Sequence, residues 1–355
     1  MPSMVDHLSQ VFPTLAERLP RITLADLPTR AELRVLSIGN KRVPIIIKHD
    51  EETNAVYGGN KVRKLEYLLQ RALEHKASRV ATFGAVASNH AIATALHSAT
   101  VGLDCTCLLS HQFKTPQAAL ALNMHLKRGT EIVRYGGKRP QRVATMRRYV
   151  RGRNAWVIPI GGSNWLGAVA FFNAGLELAA QVADRVIPAP DRLYVANGTM
   201  ATVAGLALGI AAAGLDTEIQ AIRVTHKTVA HPQAMRRLLH KTAFLMHRLD
   251  SSVPEDLAGR ARIHYRDEFF GTGYAHPTPA GDRAIELAAE QLGLKLESTY
   301  TGKALAALLH DLQQSESTDQ HFLFWNTYAA KSLPVSAARP DDTSGLPAEF
   351  LRYFD

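Results

Sequence analysis

Short apolar runs of strand length alternate with helical patterns along most of this 355-residue chain. The runs at residues 79–84, 192–196 and 321–325 are examples. Parallel strands need a crossover, usually a helix, whereas antiparallel strands can be joined by a tight turn. The length suits two domains. The pattern therefore predicts an α/β enzyme with two open, mainly parallel twisted sheets and helices on both faces.

The individual elements follow from apolar runs, caps and prolines. Thr115 and Pro116, for example, supply a helix cap and a proline at the first helical position. We predict strands at residues 79–84, 104–109, 131–135, 155–160, 192–196, 218–224 and 321–325, with helices beginning near Lys61, Ser88, Pro116, Trp165, Pro232 and Pro279.

Composition narrows the class of protein. The chain has two cysteines, Cys105 and Cys107, and neighbours two apart on a strand are poorly placed for a disulfide. No histidine pattern or cysteine spacing indicates a metal site. No targeting signal is visible near Met1, and no segment approaches the uncharged length that spans a bilayer. We expect a cytoplasmic protein without membrane association.

A formal net charge of +9 leaves two accounts open. One is a polyanionic partner such as nucleic acid, and the other is a solvated basic helix. Aromatic residues are sparse among the basic ones and no nucleic-acid motif is recognisable, which favours the solvated helix. The basic residues concentrate in one stretch without acids: Arg134, Lys138, Arg139, Arg142, Arg147, Arg148, Arg151 and Arg153.

Lys61 follows a glycine-rich turn and begins an amphipathic helix. Gly58 and Gly59 allow backbone conformations closed to other residues, and Asn60 is a common helix cap. The positive end of the helix dipole favours a neutral, nucleophilic amine. Lys61 is therefore a candidate reactive lysine, although an ordinary helix start with a solvated lysine fits the same pattern.

Four junctions at the carboxyl ends of predicted strands carry glycine, hydroxyl or amide groups, and this edge is where open α/β sheets bind ligands. Each could also be an ordinary capping turn. They are Ser88-Asn89-His90, Gly161-Gly162-Ser163-Asn164, the loop of residues 196–202, and Trp325-Asn326-Thr327-Tyr328.

The loop at residues 196–202 lies between a strand and a helix of small side chains. Backbone amides in such a loop can close around a phosphate. The loop is neither a Walker A motif nor Gly-x-Gly-x-x-Gly, so a phosphate monoester fits better than a nucleotide. A reactive lysine, a separate phosphate loop and polar donors are the parts that pyridoxal phosphate requires.

Residues 58–67, Gly-Gly-Asn-Lys-Val-Arg-Lys-Leu-Glu-Tyr, resemble the lysine segment of the D-cysteine desulfhydrase and 1-aminocyclopropane-1-carboxylate deaminase family. Further segments match in order at residues 48–50, 87–91, 160–167, 270–274 and 300–304. The resemblance implies a tryptophan-synthase-β-like, fold type II pyridoxal-phosphate enzyme. It also implies a large cofactor-binding domain, residues 1–63 and 175–355, a small domain, residues 64–174, and a homodimer.

The resemblance implies roles for single residues around the cofactor, pyridoxal 5′-phosphate. Lys61 would form the Schiff base and later accept the substrate's α-proton. Asn89 would lie beside the ring hydroxyl, and Thr301 and Thr327 are candidates for the pyridine nitrogen. The phosphate loop would comprise Gly198, Thr199, Met200, Ala201 and Thr202.

The substrate side of the site is implied in the same way. Ser88, Asn89 and His90 would hold the carboxylate of a small amino acid. Tyr274 and Tyr300 would flank the substrate, and with Lys61 and Ser88 they form the expected catalytic set. The implied reaction is α-proton removal and β-elimination, giving a keto acid, ammonia and, from D-cysteine, sulfide.

Two departures bear on the substrate. Deaminases in the family have Glu where this chain has Thr301, and a threonine cannot keep the pyridine nitrogen protonated as a carboxylate does. The family's His-Thr-Gly-Gly segment is here Asn326, Thr327, Tyr328 and Ala329. Elimination is favoured over ring opening. Cyclopropane-carboxylate deamination and a non-catalytic cofactor or amino-acid binding protein stay open.

Overall fold

The computed structural model describes residues 6–151, 153–314 and 320–355. Residues 1–5, on which the expectation about targeting partly rests, lie outside this description. The described residues divide into two compact units. The first unit draws on Met1–Pro20, Ala25–Lys64 and Ser163–Ala330, and the second on Arg21–Leu24, Leu65–Gly162 and Lys331–Asp355.

The first unit contains a six-stranded sheet. Its spatial order is β1 (Ala31–Ile38), β2 (Lys41–His49), β10 (Phe322–Asn326), β7 (Arg192–Asn197), β8 (Glu218–Arg223) and β9 (Ile263–Arg266). β1 and β2 pair antiparallel, and every other pair is parallel. The carboxyl ends of β10, β7 and β8 therefore lie at one edge of the sheet.

The helices of this unit precede β1 or lie between its later strands. They are α1 (His7–Val11), α2 (Pro13–Arg18), α7 (Trp165–Ala183), α8 (Ala201–Ala212), α9 (Pro232–Leu249), α10 (Leu257–Arg260), α11 (Pro279–Leu287) and α12 (Thr301–Gln314). Alternate strand residues such as Ile45, Ile47, Phe322 and Phe324 share one buried cluster with Leu305 of α12. Every second residue of these strands therefore lies on the face of the sheet that packs against the apolar face of α12.

Helices α7 and α8 pack closely because glycines face the contact. A Cβ on Gly205 would collide with the Ala168 carbonyl oxygen, and one on Gly209 with that of Phe172. By length and composition, α7 is long and apolar enough to cross a membrane, contrary to the sequence reading that no segment approaches such a length. However, 72% of its apolar window is buried inside the protein.

The second unit contains a four-stranded, fully parallel sheet in the order β5 (Glu131–Arg134), β4 (Asp104–Ser110), β3 (Arg79–Ala85) and β6 (Ala155–Ile158). Its helices are α4 (Asn89–Thr100), α5 (Pro116–Lys127) and α6 (Arg139–Val150), and the helix α3 (Lys61–Glu74) enters it from the first unit. In α6, the basic residues Arg142, Arg147 and Arg148 are exposed, as expected of a solvated basic helix.

Residues 331–355 form a tail on the second unit. Asn123 of α5 donates hydrogen bonds to the carbonyl oxygens of Ser336 (2.7 Å) and Ala338 (2.8 Å). Near the end of the tail, the Tyr353 hydroxyl accepts from the Gln112 amide at 2.9 Å and donates to the Gln112 carbonyl oxygen at 3.2 Å. The tail is therefore a structural part of this unit.

The predicted parallel strands and the α/β class are confirmed, with ends that differ by one or two residues. The hairpin β1–β2 and the short strand β9 are additional to the sequence prediction. The division into units differs from the expected segments: residues 163–174 cluster with the first unit, whereas residues 21–24 and 331–355 cluster with the second. The functional labels of the two domains stay predictions.

Candidate cofactor site

The turn before Lys61 is fixed by close backbone contacts. A Cβ on Gly58 would collide with the carbonyl oxygen of Glu51. Gly59 has φ +86°, and a Cβ there would lie 3.0 Å from both the Thr327 carbonyl oxygen and the Ala329 nitrogen. Only glycine fits both constraints. The turn therefore packs against the segment after β10, and Lys61 begins α3 from a defined position.

The Lys61 amine is connected to the helix α8 through the side chain of Asn60. Its Nζ donates to Asn60 Oδ1 at 2.6 Å, and Asn60 Nδ2 donates to Thr202 Oγ1 at 3.1 Å. Burial lowers the pKa of Lys61 to about 8, against the opposing charges of Glu297 and Asp50. The neutral, nucleophilic form of the amine is therefore far more populated near neutral pH than in an ordinary lysine, whose pKa is about 10.4.

Arg63, two residues after Lys61, belongs to a buried group of charged side chains. Its guanidinium donates to Asp50 Oδ1 at 2.8 Å and to Glu177 Oε2 at 2.8 Å, and Lys48 Nζ donates to Glu177 Oε1 at 2.5 Å. Burial alone would raise the pKa of Glu177, but Arg63 and Lys48 hold that pKa far below its usual value. Two positive and two negative groups thus anchor the first turn of α3.

The predicted phosphate loop lies at the N-terminus of α8. Met200 has φ +76°, an uncommon conformation for a residue with a side chain, so the loop turns sharply just before the helix. Ser163 Oγ donates to Thr199 Oγ1 at 2.6 Å and accepts from the Ala201 amide at 3.4 Å. Backbone amides and hydroxyls gathered at a helix N-terminus are a suitable site for a phosphate.

Two tyrosine hydroxyls lie together in the first unit, close to the predicted phosphate loop. The hydroxyls of Tyr274 and Tyr300 lie 2.5 Å apart, with their rings edge to face at 6.1 Å. The Tyr300 ring also lies close to Gly198 of the phosphate loop, 3.6 Å from the position of a Cβ there. Burial raises the pKa of Tyr274 to about 12, so its hydroxyl keeps its proton at neutral pH.

The two threonines predicted to face the pyridine nitrogen differ in their surroundings. The Thr301 hydroxyl accepts from the Glu297 amide at 3.1 Å and donates to Glu297 Oε1 at 3.2 Å, so it is engaged at the start of α12. Thr327 is also buried, and its carbonyl oxygen accepts from the Asn60 amide at 3.2 Å. Thr327 is thus joined directly to the lysine turn.

The Ser88-Asn89-His90 turn belongs to the second unit. Ser88 is the N-cap of α4, with its Oγ accepting from the Ala91 amide at 3.3 Å. Asn89 begins the helix. His90 is 2% exposed, and its Nε2 is hydrogen bonded to Thr82 Oγ1 at 2.9 Å. The turn has the expected helix-start geometry, with the His90 ring directed at β3.

Two residues of this part of the site, Glu297 and Tyr57, carried no signal that sequence reasoning used, whereas Tyr328 was already noted as a departure from the family's segment. Glu297 accepts from the amides of Tyr300 and Thr301 at 2.8 and 2.9 Å, and its charge opposes the lowering of the Lys61 pKa. Tyr57 is 4% exposed in the turn before Lys61, and Tyr328 follows Thr327. A carboxylate just before an amphipathic helix could have identified Glu297 as a cap.

These residues fit a phosphorylated aldehyde cofactor held covalently by a lysine. The amine of Lys61 has a lowered pKa, and the N-terminus of α8 is connected to it through the Asn60 side chain. Asn197, at the end of β7, has a buried Oδ1 without a hydrogen-bond partner, so a polar acceptor faces this edge of the sheet. Among the described residues, no group of three or more His, Cys, Asp or Glu side chains could hold a metal ion.

The fold is that of a fold type II pyridoxal-phosphate enzyme. The family model "Pyridoxal-phosphate dependent enzyme" matches residues 23–325, and the chain belongs to this family. Pyridoxal phosphate is therefore its cofactor, and the predicted cofactor is confirmed.

Comparisons with individual proteins refine this placement. The D-cysteine desulfhydrase of Klebsiella pneumoniae is 33% identical over 331 residues, which cover 89% of this chain and 96% of that protein. A D-cysteine desulfhydrase of Yersinia pestis is 34% identical over 298 residues, covering 81% and 87%. The crystal structure of an ACC deaminase homologue matches with a TM-score of 0.71 at 25% identity, covering 91% and 94%. The predicted resemblance is confirmed.

Proposed function

We propose that this protein is a pyridoxal-phosphate-dependent lyase that removes the α-proton of a small amino acid and eliminates its β-substituent. D-cysteine is the substrate that the curated relatives suggest, since they are D-cysteine desulfhydrases. The products would be pyruvate, ammonia and sulfide. The observation that carries the proposal is the connection from the Lys61 amine through Asn60 to Thr202 at the α8 N-terminus.

When bound, the cofactor supplies an electron sink for the carbanion that forms at the substrate's α-carbon. Lys61 would hold the cofactor covalently and, once displaced by the substrate amine, would accept the α-proton at Nζ. A pKa of about 8 suits this role, because a general base works best with a pKa near the operating pH.

The other residues would bind and orient. Gly198, Thr199, Met200, Ala201 and Thr202 would bind the phosphate through amides and hydroxyls. Thr327 is the better candidate for the pyridine nitrogen, because the Thr301 hydroxyl already bonds to Glu297 in both directions. Asn89 would lie beside the ring hydroxyl, and Ser88, Asn89 and His90 would hold the substrate carboxylate.

Tyr274 and Tyr300 would act on the leaving group. A hydrogen bond between two hydroxyls uses one of their two protons, so the pair keeps one proton that it can donate. Because burial raises the pKa values of both tyrosines, that proton is present at neutral pH. A departing thiolate would accept a hydrogen bond through it, without taking the proton, because a thiol is a much stronger acid than either tyrosine. We therefore assign the pair the role of hydrogen-bond donor to the β-substituent.

The decisive experiment replaces the lysine. We expect Lys61→Ala to lose the visible absorption band of the lysine-bound cofactor and to lose keto-acid formation by a factor of at least about 1,000. In the wild-type protein, borohydride reduction should fix a pyridoxyl group on the peptide that contains Lys61, as mass spectrometry would show.

The matched control is Lys241→Ala, which removes an exposed lysine on α9 and should change neither the absorption band nor turnover. A Lys61→Ala protein with the full band and full activity would overturn the assignment. The substrate and its handedness follow from a panel of D- and L-amino acids with β-leaving groups, scored for keto acid.

Cyclopropane-carboxylate deamination is the second candidate, favoured by the match to the ACC deaminase homologue. It would give 2-oxobutyrate, whereas elimination from cysteine gives pyruvate. Thr301 in place of a carboxylate argues against it. A bound cofactor without keto acid from any amino acid would favour the binding-protein alternative. We also expect a cytoplasmic homodimer. Light scattering after size exclusion would measure the molecular mass and so test for the dimer.

A further inference from the structure

Tyr274 lies in an irregular segment, residues 267–278, between β9 and α11, which we call the tyrosine loop. Loops without ladder hydrogen bonds hold a side chain in place only through specific contacts. The hydroxyl contact between Tyr274 and Tyr300 is one such contact. A single flexible contact does not fix a loop of this length, so the other attachments of the tyrosine loop decide where the Tyr274 hydroxyl lies.

Phe270 is the second attachment, and two cations hold its ring. The Arg223 guanidinium carbon lies 4.3 Å from the ring centroid, and Lys303 Nζ lies 5.4 Å from it. Both distances are within the range of cation–π attraction. Lys303 Nζ also donates to the Phe270 carbonyl oxygen at 2.7 Å. One residue of the loop is therefore held at its ring and at its backbone.

The two cations are themselves fixed. Arg223, at the end of β8, donates to Asp267 Oδ1 and to the Thr225 carbonyl oxygen, both at 2.6 Å. Lys303 is fully buried on α12, three residues after Tyr300. The helix start that contacts Tyr274 through Tyr300 thus also holds Phe270 through Lys303, so the loop is attached to α12 at two points.

We infer that Lys303, with Arg223, positions the tyrosine loop by clamping Phe270, and thereby places the Tyr274 hydroxyl for the reaction. Lys303 is a positioning residue and not a second reactive lysine, because its amine already donates to the Phe270 carbonyl oxygen and lies over the Phe270 ring. The kinetic part of this inference rests on the proposed function, whereas the structural part does not.

The structural part is tested by hydrogen exchange of the holoenzyme. Lys303→Met keeps the apolar stem and removes the donor and the charge, and Phe270→Leu removes the ring from the loop itself. Each should raise amide exchange within residues 267–278 by about tenfold while α7 stays protected. Phe270→Tyr keeps the ring and Lys241→Met leaves the clamp intact, so both should exchange as the wild type does.

The kinetic part is tested by a double-mutant cycle on pyruvate formation from D-cysteine. Lys303→Met should lower kcat/KM by up to about 100-fold, as misplacement of a catalytic group does. Combined with Tyr274→Phe, it should add almost nothing to the loss caused by Tyr274→Phe alone, because both changes remove the same hydroxyl from its place.

Two results would overturn the inference. One is unchanged exchange in residues 267–278 in Phe270→Leu and in Lys303→Met, and Phe270→Leu alone decides if Lys303→Met does not fold. The other is losses from Lys303→Met and Tyr274→Phe that multiply in the double variant. A wild-type protein that gives no keto acid with any amino acid would instead sink the proposed function, and the exchange result would still decide the clamp.

Discussion

Lys61 differs from an ordinary surface lysine in its backbone position, its hydrogen-bond partner and its burial. Gly59 fixes the backbone because only glycine fits its contacts with the Thr327 and Ala329 backbone. Asn60 accepts a hydrogen bond from the amine and donates one to Thr202. Burial lowers the Lys61 pKa to about 8. Position, partner and protonation state thus agree on one reactive amine.

Tyr328 is the residue whose replacement should most change the substrate range. Its backbone packs against Gly59, with the carbonyl carbon 3.2 Å from the position of a Cβ there, and burial raises its pKa to about 12. The charge of Glu297 acts on the pKa of Tyr328 as it does on that of Lys61, so we expect the Tyr328 ring to restrict the space near the lysine. Tyr328→Gly should therefore raise the kcat/KM of S-ethyl-D-cysteine relative to D-cysteine by about tenfold.

Tyr328→Phe is the matched control, because it keeps the ring volume and removes only the hydroxyl. It should retain the wild-type ratio of the two kcat/KM values, and both variants should show the visible absorption of bound cofactor. An unchanged ratio in Tyr328→Gly would mean that the side chain does not border the substrate.

The sequence predicted the local part of this site and missed the contacts made at long range. Lys61, its glycine turn and the loop before α8 could be predicted because each is a short segment with recognisable turn chemistry. Glu297 could not be placed near Lys61, because it approaches the lysine only after strands far apart in sequence have paired. The roles assigned to Ser88, Asn89 and His90 stay predictions.

At the scale of elements, the first turn of α3 contains a buried group of charges whose members depend on one another. Arg63, Asp50 and Glu177 are each at most 2% exposed. Removing one member leaves a buried charge without its partner, which is far more destabilising than losing a surface ion pair. Arg63→Met should lower the free energy of unfolding by about 3–5 kcal/mol, measured by urea denaturation.

The control lies on the same helix. Arg71 pairs with Glu74 at 2.8 Å, and both side chains are about one-third exposed. Arg71→Met should therefore lower the free energy of unfolding by less than about 1 kcal/mol. Equal losses in the two variants would show that the buried group contributes no more than a surface pair.

Elements with clear hydrophobic periodicity could be predicted from the sequence, whereas the hairpin β1–β2 of the first unit could not. The strand β2 contains Pro44, which lacks a backbone donor and normally argues against a strand. Here Pro44 pairs with Val35 of β1 in the two-stranded antiparallel part of the sheet. The strand β9 has only four residues, too few for a periodic signal.

At the scale of the whole molecule, His125 makes stability depend on acid. It is fully buried in α5, neither ring nitrogen has a hydrogen-bond partner, and burial lowers its pKa to about 4 from 6.5. Below pH 6.5 the unfolded chain binds a proton that the folded protein does not. Stability from this group is therefore present above pH 6.5 and is lost as the pH falls towards 4.

The free energy of unfolding should be about 2 kcal/mol lower at pH 5 than at pH 7.5 because of His125. His125→Leu should remove most of this difference in urea denaturation, whereas His240→Leu, at an exposed position on α9, should leave it in place. Carboxylates whose pKa values are lowered in the folded protein lose their contribution to stability only at pH values below the range in which His125 acts. A His125→Leu protein with the full difference would contradict the assignment.

The tail of residues 331–355 has a consequence for how the protein is made in the cell. The elements of the second unit from α3 to β6 leave the ribosome early, but Tyr353, whose hydroxyl holds Gln112, is synthesised almost 200 residues after Ile158. This unit cannot complete its packing while the chain is still being translated. It therefore presents an unfinished surface to chaperones and proteases during most of its synthesis.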